Sequence, residues 1–274
     1  MKDLEQQLEA INAKDLDEKR TWYSSVAEIY NWTRPPYPQA LISRVIELAQ
    51  LPPEAFLLEI GCGPGTATVD FAQRGFSMVC LEPSPEAGQL ARHNCAPYPV
   101  VEIVNTTFEE WPLADERFDA VLAANSFHWI SAEIGFAKAA AALNKKGYLI
   151  LLWNTPPQPS YDVYQELAEI YQTQAPSLRG YESIKNHQEN LGRIGQQAID
   201  SGLFQDLRSE QMICELTYSI EDYLGLLSTL SPYIALETQQ RQALFASLKK
   251  ALEDTSEQVQ LSYLSVFHIV QKVS

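Results

Sequence analysis

A glycine-rich turn between a predicted strand and a predicted helix constrains the fold of this chain most strongly. Residues 57–72 read LLEIGCGPGTATVDFA and contain Gly61, Gly63 and Gly65. The apolar residues before the turn predict a buried strand, and those from Thr66 onward predict the first turns of a helix. Glycines at such a turn let the backbone approach a ligand closely. The turn is therefore a candidate ligand site.

Strand-like and helix-like segments alternate from residue 51 to residue 154, which predicts a parallel sheet with crossover helices. Lys145, Lys146 and Gly147 are typical of a helix C-terminus, so one crossover helix is expected to end there. The predicted strands of this part cover residues 56–60, 78–82, 100–104, 118–125 and 148–154.

The remaining segments complete a single domain over residues 1–274. An aromatic and proline-rich lid segment (1–38) precedes the cofactor-binding core (39–154), and a helical cap insertion (155–205) precedes the C-terminal part of the sheet domain (206–274). In the cap, aromatic and apolar residues recur at helical spacing and are expected to pack against the sheet domain or to line a pocket: Tyr161, Tyr164, Leu167 and Tyr171. The C-terminal part predicts a strand, two helices and a strand over residues 210–217, 220–229, 238–252 and 261–273.

Charge and cysteine content exclude several classes of partner. The formal net charge is -15 and the isoelectric point is about 4.7, so the field of the whole protein repels polyanions and disfavours nucleic acid and anionic membranes. The N-terminal residues lack the apolar core of a signal peptide, and a soluble, cytoplasmic protein is expected. Four cysteines are too far apart for a zinc-binding pair, so we expect no metal and reduced thiols: Cys62, Cys80, Cys95 and Cys214.

The spacing of the glycines and one carboxylate narrow the choice of ligand. A dinucleotide site uses G-x-G-x-x-G, whereas here Thr66 stands where the third glycine of that pattern would fall. Glu82, at the end of the second predicted strand, can accept hydrogen bonds from both hydroxyls of a ribose and disfavours a 2′-phosphate. NADP is therefore disfavoured, and NAD or another adenosine ligand remains.

The motifs LLEIGCGPGTAT, LEPS and TTFEEWPLADERFDAVLAANSFHW resemble those of the class I S-adenosylmethionine-dependent methyltransferases. The segment AEIYNWTRPPYPQAL further resembles a small-molecule subgroup that includes the trans-aconitate methyltransferase-like proteins. The resemblance implies an α/β, Rossmann-like, doubly wound and mostly parallel seven-stranded sheet with a reversed final hairpin. It also implies S-adenosylmethionine as cofactor and methyl transfer to a small molecule, with a carboxylate or a hydroxyl as candidate acceptor.

The resemblance assigns cofactor contacts to particular positions. Gly61, Cys62 and Gly63 would lie beside the methionine and ribose parts, while Glu82 would bind the ribose hydroxyls and Pro83 would help to enclose the adenine.

Four further positions complete the predicted cofactor site. Phe108 and Glu109 would flank the adenine and its amino group, and Asn125 would offer its backbone toward the methionyl end. Glu59, two residues before Gly61, would put a carboxylate near the positive ammonium and sulfonium groups.

The candidate general base is His128, which follows the fourth predicted strand at the edge where open parallel sheets place reacting groups. A purely structural role for His128 is the alternative. Arg34 is the candidate anion-binding residue, because one guanidinium can hold a carboxylate through two hydrogen bonds. That carboxylate could belong to the cofactor or to an acid substrate, or Arg34 could form a surface ion pair. Tyr30, one helical turn earlier, could share the site.

Aromatic side chains of the lid predict a pocket for a largely apolar or small acidic molecule: Trp22, Tyr23, Trp32 and Tyr37, together with Trp153. His93, His187 and His268 are expected to be structural or exposed. Two alternatives to a methyltransferase stay open at this point, namely an NAD-dependent oxidoreductase and a non-catalytic adenosyl-binding protein.

Overall fold

A central sheet of eight strands organises the described part of the chain. The structure is a computed structural model and describes residues 14–113, 117–178 and 180–273, so residues 1–13 of the predicted lid and residues 114–116 of the third family motif lie outside it. The strands are Phe56–Ile60 (β1), Ser77–Leu81 (β2), Val101–Val104 (β3), Phe118–Ala124 (β4), Leu143–Asn154 (β5), Gln158–Pro159 (β6), Phe204–Ser219 (β7) and Gln258–Lys272 (β8).

The strand order follows the doubly wound pattern. Strands β3, β2, β1, β4 and β5 lie side by side and pair in parallel, and β8 pairs antiparallel with β5 on one edge and with β7 on the other. The two-residue β6 also pairs antiparallel with β8. The predicted fold, a mostly parallel sheet that ends in a reversed hairpin, is confirmed, although the described sheet has eight strands rather than the predicted seven because it includes the two-residue β6.

The helices connect the strands and form the lid and the cap. They are Leu16–Thr21 (α1), Ala27–Thr33 (α2), Gln39–Leu48 (α3), Thr66–Ala72 (α4), Pro85–Asn94 (α5), Ala132–Ala142 (α6), Tyr161–Gln174 (α7), Ile184–Asp200 (α8), Ile220–Ser228 (α9), Ser231–Ile234 (α10) and Thr238–Glu253 (α11). Helices α1 and α2 belong to the predicted lid, and α7 and α8 form the predicted cap. In the part of the chain that the structure describes, no helix is long and apolar enough to cross a membrane.

Both faces of the sheet are covered, which explains why apolar side chains lie on both faces of its central strands. In β1, Leu57 and Leu58 are fully buried in two different clusters, one on each face. A third apolar cluster holds α7, α9 and α11 together and includes Leu167, Leu226 and Leu244. Helix α7 of the cap is therefore packed against the C-terminal helices, whereas α8 contributes Ile194 and Ala198 to the cluster that contains Leu58.

Two predicted boundaries are wrong. The strand predicted over residues 210–217 is longer, since β7 covers Phe204–Ser219 and begins within the predicted cap. The predicted end of one crossover helix also differs. Helix α6 ends at Ala142, and Lys145, Lys146 and Gly147 lie within β5 rather than at a helix C-terminus. Gly147 is required by close packing, because a Cβ there would lie 2.8 Å from the Leu143 side chain and 3.0 Å from the carbonyl oxygen of Asp119. Two lysines followed by a glycine are compatible with a helix C-terminus as well as with the beginning of a strand, so the local sequence does not distinguish these two structures.

Candidate active site

A cavity of about 140 Å³ lies at the carboxyl ends of β1, β2 and β4, and residues of the lid line part of it. This is the edge where open parallel sheets bind ligands. Most of the predicted cofactor residues line it: Tyr30, Arg34, Gly61, Cys62, Gly63, Glu82, Pro83, Phe108, Glu109 and Asn125. Of the predicted site residues, Glu59 and His128 do not line this cavity.

The glycine turn forms one wall of the first cavity. Its backbone adopts left-handed conformations that residues other than glycine rarely adopt. Gly61, Gly63 and Gly65 have φ angles of 63°, 56° and 89°. A Cβ on Gly61 would lie 2.8 Å from the Cβ of Ser126, whereas a Cβ on Gly63 would meet no atom within 4 Å. Gly63 therefore leaves open space where a ligand can approach the backbone.

Glu82 presents a buried carboxylate at the end of β2. Its two oxygens accept hydrogen bonds from the backbone N–H groups of Gly63 and Ser84, both at 2.8 Å. Burial raises the pKa of Glu82 to about 7 in spite of these two donors. Each carboxylate oxygen can accept more than one hydrogen bond, so Glu82 retains capacity for two ligand hydroxyls.

Glu59 is placed differently from the sequence-based expectation. Its side chain is fully buried under α4, where it accepts a 2.6 Å hydrogen bond from the hydroxyl of Thr68. Strand alternation explains this position, because Glu59 lies on the same face of β1 as Leu57. The carboxylate therefore links β1 to α4, and Glu59 does not line the first cavity.

The buried state of Glu59 gives a pH-dependent stability. Burial raises its pKa from 4.5 to about 7, so the folded state holds the proton more tightly than the unfolded chain does. The stability from this group is fully present below about pH 4.5 and is lost as the pH rises through 7. We expect the free energy of unfolding of the Glu59→Gln variant, measured in urea between pH 5 and 8, to fall less than that of the wild type, by about 1–3 kcal/mol.

A matched control separates this effect from general charge removal. Glu102 is an exposed glutamate on β3, and the Glu102→Gln variant should follow the wild-type pH dependence. Parallel curves for the Glu59→Gln variant and the wild type would contradict the buried, partly protonated carboxyl group.

Asn125 joins the lid to the sheet at the end of β4. Its backbone has a φ of 51°, in the left-handed region. Its Oδ1 accepts hydrogen bonds from the backbone N–H of Asn154 at 2.7 Å and from the hydroxyl of Tyr37 at 3.1 Å. Asn154 in turn donates from Nδ2 to the carbonyl oxygens of Pro35 and Pro36. The asparagine pair fixes the proline-rich part of the lid above the sheet edge.

Arg34 follows α2 and lies where the lid meets the C-terminal helices. Its Nε and Nη2 donate to the hydroxyl and carbonyl oxygens of Thr229, both at 2.9 Å, and its guanidinium carbon lies 4.7 Å from the centre of the Tyr30 ring. Among the described residues Arg34 has no carboxylate partner, so the surface ion pair is not formed. The guanidinium is held in place and retains hydrogen-bond donors for an anionic ligand group.

A second cavity of about 770 Å³ adjoins the first, beneath the cap. Several residues line both cavities, among them Tyr23, Tyr30, Arg34, Asn125, Asn154 and Thr155. His128 and Trp153 line the second cavity, with their ring centres 5.3 Å apart. Burial lowers the pKa of His128 to about 4, so its imidazole is neutral at pH 7.

The cap contributes an aromatic wall to the second cavity, and the predicted stripe contains only some of its residues, since Tyr181 also lines this cavity. Tyr164, Leu167 and Tyr171 of the predicted stripe line the second cavity, and the Tyr171 hydroxyl hydrogen-bonds that of Tyr233 at 2.8 Å. Tyr161 is half exposed. The stripe therefore both packs in the third apolar cluster and lines a pocket.

Several other predictions for aromatic and histidine residues have mixed outcomes. Tyr23 and Tyr37 line the first cavity, and Trp153 lines the second. Trp32 is wrong as a pocket residue, because it is 74% exposed and its Nε1 donates to Asp222. Trp22 also lines neither cavity, since it packs against Trp129 and donates to Ser231. His187, expected to be structural or exposed, is buried and lines the second cavity.

The structure defines a doubly wound α/β protein with a cavity at the carboxyl edge of its sheet, and comparisons with known proteins match this fold. Residues 58–151 match the family model described as "Methyltransferase domain". An uncharacterised methyltransferase of Mycobacterium tuberculosis is 32% identical over 133 residues, which cover 48% of this chain and 52% of that protein. The chain thus spans about half the length of the curated relatives it matches first. An uncharacterised methyltransferase of Schizosaccharomyces pombe is 22% identical over 260 residues, 93% of this chain and 98% of that protein.

Solved structures show the same fold. A protein from Anaeromyxobacter dehalogenans, provisionally described as a type II methyltransferase, superposes with a TM-score of 0.62 at 18% identity over 88% of this chain and 98% of that chain. A phosphoethanolamine N-methyltransferase of Haemonchus contortus in complex with S-adenosyl-L-methionine gives 0.54 at 15% identity, over 94% of this chain and 59% of that chain. Residues 58–151 thus match a methyltransferase domain, in agreement with the resemblance to the class I S-adenosylmethionine-dependent methyltransferases, and the solved structures share the fold of this chain. The trans-aconitate-like subgroup stays a prediction.

Proposed function

We propose that this protein is an S-adenosylmethionine-dependent methyltransferase that acts on a small molecule held in the second cavity. One observation carries the proposal: the Glu82 carboxylate and the open glycine turn face one cavity at the sheet edge, and that cavity adjoins a larger one. The matched domain family and the ligand of the Haemonchus protein support S-adenosylmethionine as the molecule in the first cavity.

The residues of the first cavity fit this cofactor. Glu82 would accept hydrogen bonds from the two ribose hydroxyls, and the backbone of Gly61–Gly63 would lie along the ribose and methionyl parts. Pro83, Phe108 and Glu109 would enclose the adenine. These groups line a single cavity. Its glycine turn has Thr66 at the position where the dinucleotide pattern G-x-G-x-x-G has its last glycine.

Arg34 and Asn125 line both cavities. We assign the guanidinium of Arg34 to the carboxylate of the methionyl group, because it is fixed by Thr229 and has no carboxylate partner among the described residues. The backbone of Asn125 and the ring of Tyr30 would border the same end. When bound, the cofactor supplies the methyl group, and the chain aligns the acceptor and excludes water.

The second cavity supports a small-molecule acceptor. It has room for a ligand of the usual size, and its walls come from the cap, the lid and the C-terminal helices. The net charge of -15 disfavours nucleic acid. The helical cap over residues 155–205 would then determine acceptor specificity.

A turnover assay tests this function. The protein is incubated with S-adenosylmethionine and a panel of phenols, carboxylic acids and amines, and S-adenosylhomocysteine and methylated products are measured by mass spectrometry. We expect stoichiometric formation of both for at least one acceptor class. Equal affinity for the methylated and demethylated cofactor, with no turnover on any member of the panel, would favour a non-catalytic adenosyl-binding protein instead.

A further inference from the structure

Lys138 of α6 joins this helix to the segment that would enclose the adenine. Its Nζ donates hydrogen bonds to the backbone carbonyl oxygens of Glu109 at 3.0 Å and of Trp111 at 2.6 Å. The same nitrogen lies 5.2 Å from the centre of the Phe108 ring, within the range of a cation–π contact. Hydrogen bonds from an ammonium group are stronger than those between neutral groups. One side chain therefore holds this segment at two backbone positions and one ring.

The segment between β3 and β4 has no helix or strand over residues 105–113. Its turn is closed by Thr107, whose hydroxyl and carbonyl oxygens accept hydrogen bonds from the backbone N–H groups of Glu110 at 3.2 Å and of Trp111 at 3.1 Å. These local hydrogen bonds fix the shape of the turn. The distance of the turn from the sheet depends instead on contacts with other elements.

Two side chains tie the segment to the sheet. At its beginning, Nδ2 of Asn105 donates to the carbonyl oxygens of Glu82 at 2.8 Å and of Pro83 at 3.1 Å. At its end the tie is Lys138, because α6 packs on the sheet through buried side chains such as that of Phe136. The residues of the segment that line the first cavity lie between these two ties.

The carboxylate of Glu109 retains the capacity to accept a hydrogen bond. Its Oε1 lies 4.0 Å from Nζ of Lys19 in the lid, and the two side chains are only 19% and 12% exposed. A distance of 4.0 Å is an ion pair but not a hydrogen bond. Glu109 lines the first cavity, where a carboxylate can accept from an amino group of a purine but not from a carbonyl oxygen. The position of Glu109 therefore affects which purine fits.

We propose that Lys138 is a positioning residue that gives the first cavity its preference for adenine. The ammonium group holds the backbone of Glu109, and the Glu109 carboxylate accepts a hydrogen bond from the exocyclic amino group of the base. Lys138 itself lines neither cavity, so its effect on a ligand passes through the segment that it holds. The inference rests on the proposed function, since it concerns the cofactor of the methyl transfer.

Two ligands that differ in one group of the purine test the proposal by calorimetric titration. S-adenosylhomocysteine carries the exocyclic amino group, and S-inosylhomocysteine carries a carbonyl oxygen in its place. We expect the wild type to bind S-adenosylhomocysteine about tenfold more tightly, which corresponds to one buried hydrogen bond. Lys138→Met keeps an apolar side chain and removes the donors. It should lower the affinity for S-adenosylhomocysteine about tenfold and that for S-inosylhomocysteine by less than about threefold.

Further variants show whether the effect passes through Glu109. Glu109→Ala should lose the same preference, and Lys138→Met added to Glu109→Ala should reduce it no further, because residues that act on one contact are not additive. Lys138→Arg keeps charged donors and should retain most of the preference. Lys145→Met, at an exposed lysine of β5, is the control and should bind both ligands as the wild type does. Lys138→Gln replaces Lys138→Met if thermal unfolding shows that the latter does not fold.

The outcomes separate this inference from the proposed function. Equal losses of affinity for the two ligands in Lys138→Met would show that Lys138 acts only on the fold and would overturn its positioning role. Equal affinities of the wild type for both ligands would overturn the contact with the amino group, and the methyltransferase function would stand. Absence of binding of either ligand to the wild type would overturn the proposed function itself.

Discussion

Replacement of Glu82 by alanine is expected to weaken the binding of S-adenosylhomocysteine by about 10- to 100-fold, since two hydrogen bonds from ribose hydroxyls to a buried carboxylate are lost. In the free protein these carboxylate oxygens already accept from the backbone N–H groups of Gly63 and Ser84. Removal of the side chain therefore also loosens the turn that lines the cavity. Isothermal titration calorimetry measures the change in affinity, and thermal unfolding shows whether the variant stays folded.

The raised pKa of Glu82 gives this prediction a second readout. With a pKa of about 7, the carboxyl group is partly protonated at neutral pH before the ligand binds. Hydroxyl donors favour the ionised form, so binding at pH 7 should release a fraction of a proton, which is lost in the Glu82→Gln variant. Titrations in buffers of different ionisation enthalpy detect that release. Glu102→Ala, an exposed glutamate on β3, is the control; an unchanged affinity in Glu82→Ala would refute the ribose role.

Replacement of Arg34 by methionine is expected to weaken S-adenosylhomocysteine binding by about 10- to 30-fold, because a charge-assisted pair with the ligand carboxylate is lost. Methylthioadenosine, which lacks the amino-acid part, provides the matched ligand. Its affinity should change little in the same variant. Arg44→Met, at an exposed ion pair with Glu47, is the control protein.

The pattern of losses in the Arg34 variant identifies what the guanidinium binds. Equal loss for both ligands would indicate that Arg34 acts only by holding the lid to Thr229. Unchanged binding of both, together with loss of an acid acceptor, would move Arg34 to the acceptor side and contradict its assignment to the cofactor.

The sequence predicted the parts of the molecule that depend on local patterns. Short stretches of sequence are enough to predict the strands β1 to β5, the glycine turn and the position of Glu82 at a strand end. In the structure the glycine turn and Glu82 line one cavity at the sheet edge. The error at Glu59 has a local cause as well: the residue belongs to β1, so its side chain follows the alternation of the strand and lies under α4. Attention to that alternation would have placed it correctly.

The second cavity could not be predicted in the same way, because its walls come from distant segments. Tyr171 and Tyr233 meet although they lie 62 residues apart, and Tyr223 and Leu227 reach the cavity from α9. Such contacts follow from the packing of the cap on the C-terminal helices rather than from spacing. One residue did carry a signal that was missed: Asn154 ends β5, and strand ends at this edge face the ligand.

The most direct test of the account is a calorimetric titration of the purified protein with S-adenosylhomocysteine and, in parallel, with NAD. We predict saturable binding of S-adenosylhomocysteine and none of NAD. The glycine turn has Thr66 where the dinucleotide pattern has its last glycine, and Glu82 lines the cavity that would hold the ribose. Binding of NAD alone would contradict the assignment of the first cavity and with it the proposed methyltransferase.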